Sequence, residues 1–211
     1  MFTNNTTTYV RLSGSALAIG GALTAIAAVL HPNEVAHPEA IFATLWLLVH
    51  STFMVATYLV IFGTMAIYLH QAPHGSRFNA PGFVLSVIGL ALFSGFFFFE
   101  TFILPGLANQ PETVEILFNG SLGLGALLSG VIFTVGFVLF GIAIVQSGCL
   151  SRWGGLLLII AAPLTGFSDL LPEAIGHNGI VLLGLVWLWL GIGLISKQRA
   201  LSGTLEIAPA R

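Results

Sequence analysis

Long uncharged apolar runs decide what this chain can fold into. ALAIGGALTAIAAVL (16–30), GVIFTVGFVLFGIAIV (130–145) and GIVLLGLVWLWLGIGLI (179–195) contain no charged residue. Each approaches the ~20 apolar residues that a helix needs to cross a bilayer core. The composition agrees: 56% of the residues are hydrophobic, 7% are charged and the mean hydropathy is +1.00. A water-soluble domain covers its surface with about a quarter charged residues, so the chain reads as an integral, multi-pass protein of the cell membrane. The runs are continuous rather than alternating, which selects helices over a β-barrel. Nothing in the sequence is basic enough for nucleic-acid binding.

The runs predict an all-α bundle of six transmembrane helices, at about residues 11–30, 39–70, 81–104, 112–146, 152–171 and 173–196. A polar tail (1–10) precedes this domain (11–196), and a second polar tail (197–211) follows it. A cleaved signal peptide is the rival reading of the first run. That run exceeds the apolar core of about 7–15 residues usual for such signals, which favours a retained span.

The charges sort by side. Arg11, Arg77, Arg152, Lys197, Arg199 and Arg211 all fall on one side of a six-span plan. Glu34, Glu39, Glu100, Glu112, Glu115, Asp169 and Glu173 fall toward the other, and only Glu206 breaks the pattern. Excess Lys and Arg marks the cytoplasmic side, so both termini are expected there. Cys149, the single cysteine, joins them, where a thiol stays reduced.

A weak internal repeat suggests three consecutive helical hairpins. Arg11, Arg77 and Arg152 open the odd spans, and Pro38-Glu39, Pro111-Glu112 and Pro172-Glu173 open the even ones. Proline at the first helical position with a carboxylate beside it is also an ordinary way to start a helix. Ser121, Gly125 and Ser129, and Gly14, Ala18 and Ala22, have the four-residue spacing that lets membrane helices approach closely. Pro163 is expected to kink the fifth span, with Gly166 beside the break.

Chemistry concentrates on the acidic side. His31 ends the first span, and His50 lies twelve residues past Pro38, about 18 Å along the second. His50, Thr57 and Thr64 form a polar stripe at seven-residue spacing, on the face that should look into the bundle. Glu100 stands one turn from the end of the third span, behind Phe96–Phe99. Asp169 closes the fifth span and His177 lies one turn into the sixth. Ionisable side chains at membrane depth are costly unless paired or hydrated.

Imidazole and carboxylate suit a divalent zinc, iron or manganese ion. The candidate ligands are His31, His50, Glu100, Asp169 and His177, with Glu34, His37 and Glu173 around them. No HExxH, ExxH or cysteine pair groups them, and a histidine near an interface also serves as a hydrogen-bonded helix-end residue. A bis-histidine haem is a second version, requiring His31 or His177 to reach the depth of His50. His70 and His74 read as loop residues and Trp153 as an interface anchor. Trp187 and Trp189 read as packing or lipid contacts. Phe93, Phe96–Phe99 and Phe102 form an aromatic surface, for lipid or for a groove taking a lipid-like or quinone-like ligand.

Three functions follow as expectations. The first is a binding or accessory protein, a subunit or sensor, with an outward site for a metal or an apolar small ligand and a membrane-protein partner. The second is a small-solute or proton-coupled transporter. The third is an intramembrane metal-dependent hydrolase.

Overall fold

The computed structural model describes residues 3–33, 37–107 and 109–207, with side-chain placements for 8–33, 37, 39–107 and 109–197. Helices α1 (Thr3–Leu30), α2 (Thr44–Gln71), α3 (Asn79–Phe98), α4 (Leu104–Leu107), α5 (Pro111–Asn119), α6 (Ser121–Ser147), α7 (Arg152–Gly166) and α8 (Glu173–Ile207) follow in chain order. No strand occurs among the described residues. Five helical segments are long and apolar enough to cross a membrane.

The packing forms a closed ring: α1 lies against α2, α2 against α3, α3 against α6, α6 against α7, α7 against α8, and α8 back against α1. The sixth station belongs to α7, at 15 residues. At 1.5 Å per residue it extends about 22 Å, short of the ~30 Å hydrocarbon core. The expected span to residue 171 is therefore too long. The helix stops at Gly166, and Ser168–Leu170 turn as a 3-10 segment. Pro163 lies inside the helix, and the end comes only after it, where the Phe167 N–H bonds the Pro163 carbonyl.

Three other boundaries differ from expectation. Pro38-Glu39 opens only a 3-10 turn, Pro38–Phe42, and α2 starts afresh at Thr44. Pro111-Glu112 opens the separate α5, which breaks from α6 at Gly120. The polarity change after Ser196 does not end α8, because lysine, glutamine and arginine are all good helix formers.

Glycines set the inter-helix contacts. A Cβ on Gly184 of α8 would lie 2.6 Å from the Ala25 backbone nitrogen of α1, and one on Gly191 would lie 2.5 Å from that of Ala18. On α3, a Cβ on Gly82 would meet the Phe140 nitrogen of α6 at 2.7 Å. Backbones this close gain dispersion contacts that side chains would prevent. The α1 stripe holds at Gly14 and Ala18 and continues through Gly21 and Ala25 rather than Ala22. On α6 the stripe is elsewhere: Ser121 and Gly125 are exposed, and Gly130, Gly136 and Gly141 make the close contacts.

The ring has two distinct ends. At one, Lys197 Nζ donates to the Cys149 carbonyl and Ser76 Oγ donates to Gln146 Oε1 at 2.9 Å. We call this the basic end. At the other lie His31, His50, Glu100 and His177, around a hollow. Glu34 and Arg211 lie outside the described residues, as do the side chains of Arg199 and Glu206.

Candidate ligand cavity at the hollow end

The site begins with a defect in α3. Residues Phe99–Ile103 form a π-helical turn, in which the Leu104 amide bonds the Phe99 carbonyl. Pro105 explains it: proline has no N–H to offer and crowds the carbonyl four residues before it. The widened turn leaves the Glu100 carbonyl without a helical donor, because its fifth-neighbour partner would be Pro105 itself. Trp46 supplies the missing bond, its Nε1–H donating to Glu100 O at 2.8 Å. Trp46 is 1% exposed and its ring stacks on His50, with centroids 4.0 Å apart. Sequence reasoning passed over Trp46, although the Trp46–His50 spacing of one helical turn was a usable signal.

His50 lies six residues past the start of α2, since α2 starts at Thr44 and not at Glu39. Its depth is about 9 Å rather than 18 Å. The stripe it begins is buried as expected: His50, Thr57 and Thr64 are all buried. His50 Nδ1 lies 2.9 Å from the Trp46 carbonyl. A carbonyl only accepts, so Nδ1 carries the hydrogen, and Nε2 is the atom that faces the site. His31 Nε2 approaches it at 3.3 Å and Glu100 Oε2 at 3.6 Å.

His177 is placed by a different bond. Its Nε2 donates to the Ala28 carbonyl in the last turn of α1, which also accepts the His31 backbone N–H at 3.2 Å. Its ring meets that of His31 edge-on at 5.5 Å. Asp169 lines the same hollow, its Oδ1 accepting from Ser168 Oγ at 3.1 Å. The structure thus joins His31, His50 and Glu100 through one nitrogen and sets His177 against His31. His37 stays on the surface, 3.4 Å from Glu39, and Glu173 borders the hollow.

No three His, Cys, Asp or Glu side chains among the described residues are arranged to hold a metal ion. One nitrogen each of His50 and His177 is engaged by a backbone carbonyl, which orients the ring without occupying its other nitrogen. An axial bis-histidine iron would hold its two nitrogens about 4 Å apart on opposite sides. The His31 and His50 rings instead touch edge to face, with centroids 4.9 Å apart.

Two cavities open here. A vestibule of about 420 Å³ is bordered by Asn33, Leu171, Glu173 and His177. A narrower chamber of about 120 Å³ is walled by Leu90, Phe93, Phe97, Phe133, Leu183 and Trp187. They share a neck of His31, Phe53, Glu100, Ser168, Asp169 and Ile180. The phenylalanine run divides accordingly: Phe93, Phe96 and Phe97 line the chamber, while Phe98 and Phe102 are exposed. Trp187 faces inward and Trp189 outward. Trp153 is exposed, as an interface anchor requires.

The chain matches no protein-family model, no curated protein and no solved structure.

Proposed function

We propose that this chain is a multi-pass membrane protein of binding or accessory type, a sensor or subunit, whose hollow end receives a small ligand. In this reading α7 and the turn after it complete a sixth crossing, giving three hairpins. The basic end faces the cytoplasm with both termini, and the hollow faces out. The observation that carries the reading is the pair of connected cavities, aromatic-walled inside and ringed at the neck by His31, Glu100 and Asp169. A concave apolar site with a few convergent polar groups is the usual form of a small-molecule site.

The test is equilibrium dialysis of ethylbenzene against the protein in lipid nanodiscs, with empty nanodiscs as the blank. Excess uptake is expected, and Ile180→Trp, which fills the neck, should abolish it. Uptake equal to the blank, for ethylbenzene, for its ketone analogue acetophenone and for n-butylammonium alike, overturns the reading. Zinc and manganese added in parallel test the metal version, through a rise in melting temperature that His50→Ala removes.

One observation favours a proton-coupled carrier as the second reading: His50 Nε2 is approached from two sides, by an imidazole and a carboxylate. Proton flux into vesicles that is identical for the wild type and the His50→Ala/Glu100→Ala double variant would dismiss it.

A further inference from the structure

The two cavities offer different surroundings to a guest. The chamber is apolar, and Leu90, Phe93, Phe97, Phe133 and Leu183 supply most of its wall. Two of its threonines, Thr24 and Thr57, give their hydroxyl hydrogens to the carbonyls four residues back, which leaves those hydrogens unavailable to a guest. The vestibule is acidic, with Glu100, Asp169 and Glu173 on its border. Glu100 and Asp169 border the chamber too, so both stand where the cavities meet. The Glu100 side chain is 17% exposed, and Asp169 is exposed. No Lys or Arg lines either cavity; Lys197 is held at the opposite end, on the Cys149 carbonyl. The other titratable groups on the lining are the imidazoles of His31, His50 and His177.

Charge decides which guest can reach through the neck. An anion would meet two carboxylates there. A plain hydrocarbon would take water from those carboxylates and give them no partner, which is costly for a charged group. A bare metal ion gains nothing from an apolar chamber. A primary ammonium carries a positive charge and three N–H donors, and an alkyl tail on it suits the chamber. Volume sets the length of that tail. An apolar cavity of roughly 150 Å³ holds the six carbons of benzene, about 25 Å³ for each. The chamber, at about 120 Å³, then has room for about five.

Building on the ligand-binding reading, we propose that the site takes a primary alkylammonium ion of about four or five carbons, with its tail in the chamber and its ammonium at the neck against the carboxylates of Glu100 and Asp169.

Three four-carbon probes of similar shape test this: n-butylammonium, n-butanol and butyrate. Each is dialysed at pH 8 against the protein in phosphatidylcholine nanodiscs and corrected for its own empty-nanodisc blank. That pH leaves an alkylamine charged and lies above the usual imidazole range. n-Butylammonium should bind at least tenfold more tightly than n-butanol, the equivalent of one hydrogen bond to a charged group. Butyrate should stay at its blank. Glu100→Gln, which keeps the size of the side chain, should weaken n-butylammonium about tenfold and change n-butanol less than about twofold. Asp169→Asn should act in the same direction, less strongly, because Asp169 is exposed. Uptake should rise from methylammonium to n-butylammonium and gain nothing beyond n-pentylammonium. If Glu100→Gln does not fold, the wild-type comparison and the length series still decide. n-Butanol held as tightly as n-butylammonium overturns this inference and leaves ligand binding standing. So does n-butylammonium at its blank while ethylbenzene exceeds its own. Parallel weakening of n-butylammonium and n-butanol in Glu100→Gln also overturns it, since that reports shape alone. Methylammonium held as tightly as n-butylammonium removes the chamber from it. Failure of ethylbenzene, acetophenone and n-butylammonium alike to exceed their blanks overturns ligand binding and this inference together.

Discussion

At the basic end α2 runs to Gln71 and tightens into a short 3-10 turn, Ala72–His74, and α6 runs to Ser147, where Gly148 takes the left-handed conformation (φ 60°) that ends a helix. At the hollow end almost every helix is interrupted. A 3-10 turn precedes α2, a π turn follows α3, Gly120 separates α5 from α6, and α7 unwinds at Phe167. Irregular backbone in a membrane protein is tolerated where it is buried or lines a cavity, and here the π turn and the turn after α7 bring Glu100, Ser168 and Asp169 to both cavities. Unpartnered polar atoms occur at both ends but differ in setting. Gln71, Asn79 and Ser86 border neither cavity, whereas Thr165 and Trp187 are among the residues that line the chamber. Backbone regularity thus sorts the molecule into a packed scaffold and a hollow end.

The largest effect should come from breaking the scaffold. Gly184→Leu drives a side chain into the Ala25 backbone nitrogen, 2.6 Å from where its Cβ must sit. Loss of at least ~3 kcal/mol is expected from a clash that backbone cannot relieve, read as loss of monodisperse protein in size-exclusion chromatography. Gly95→Leu, with no atom within 4 Å of its Cβ, should purify normally. Equal behaviour of the two would remove the division into scaffold and hollow.

A smaller effect tests the hollow. Trp46→Phe leaves the Glu100 carbonyl without its donor and should cost about 1–3 kcal/mol, measured as a lowered melting temperature. It should also weaken ethylbenzene binding, because the π turn that orients Glu100 loses its tie. An unchanged melting temperature would mean that the carbonyl finds another donor and that Trp46 serves only to stack on His50.

The smallest effect concerns the face that the sequence suggested for contact. Gly125→Leu on α6 should change stability by less than about 0.5 kcal/mol, since Gly125 is exposed with nothing near its Cβ. A substantial loss of stability would reveal a partner on that face.

Much of this architecture was legible beforehand. The apolar runs gave the helices, and the polar period of His50, Thr57 and Thr64 gave the inward face of α2. Charge placement anticipated which residues would share an end, and His31, His50 and Glu100 do meet. Local breaks were harder. Asn119-Gly120 is a turn signal inside an otherwise helical stretch, outweighed there by the length of the apolar run. The π turn follows from Pro105 only once its preceding carbonyls are tracked one by one. The unpartnered Trp187 N–H was beyond reach: whether it finds an acceptor depends on what the neighbouring helices present at its depth, which no single segment records.

The widened turn of α3 has one more effect. A π turn holds one residue beyond the ordinary complement, so everything after it is rotated relative to a regular helix. Loss of a single residue between Phe99 and Ile103 would restore the common winding with the chain beyond it left in place, and only the residues of the turn itself, Glu100 among them, would be aimed anew. The aim of the carboxylate at the neck is therefore a matter of register, set by one surplus amino acid and pinned by the indole of Trp46.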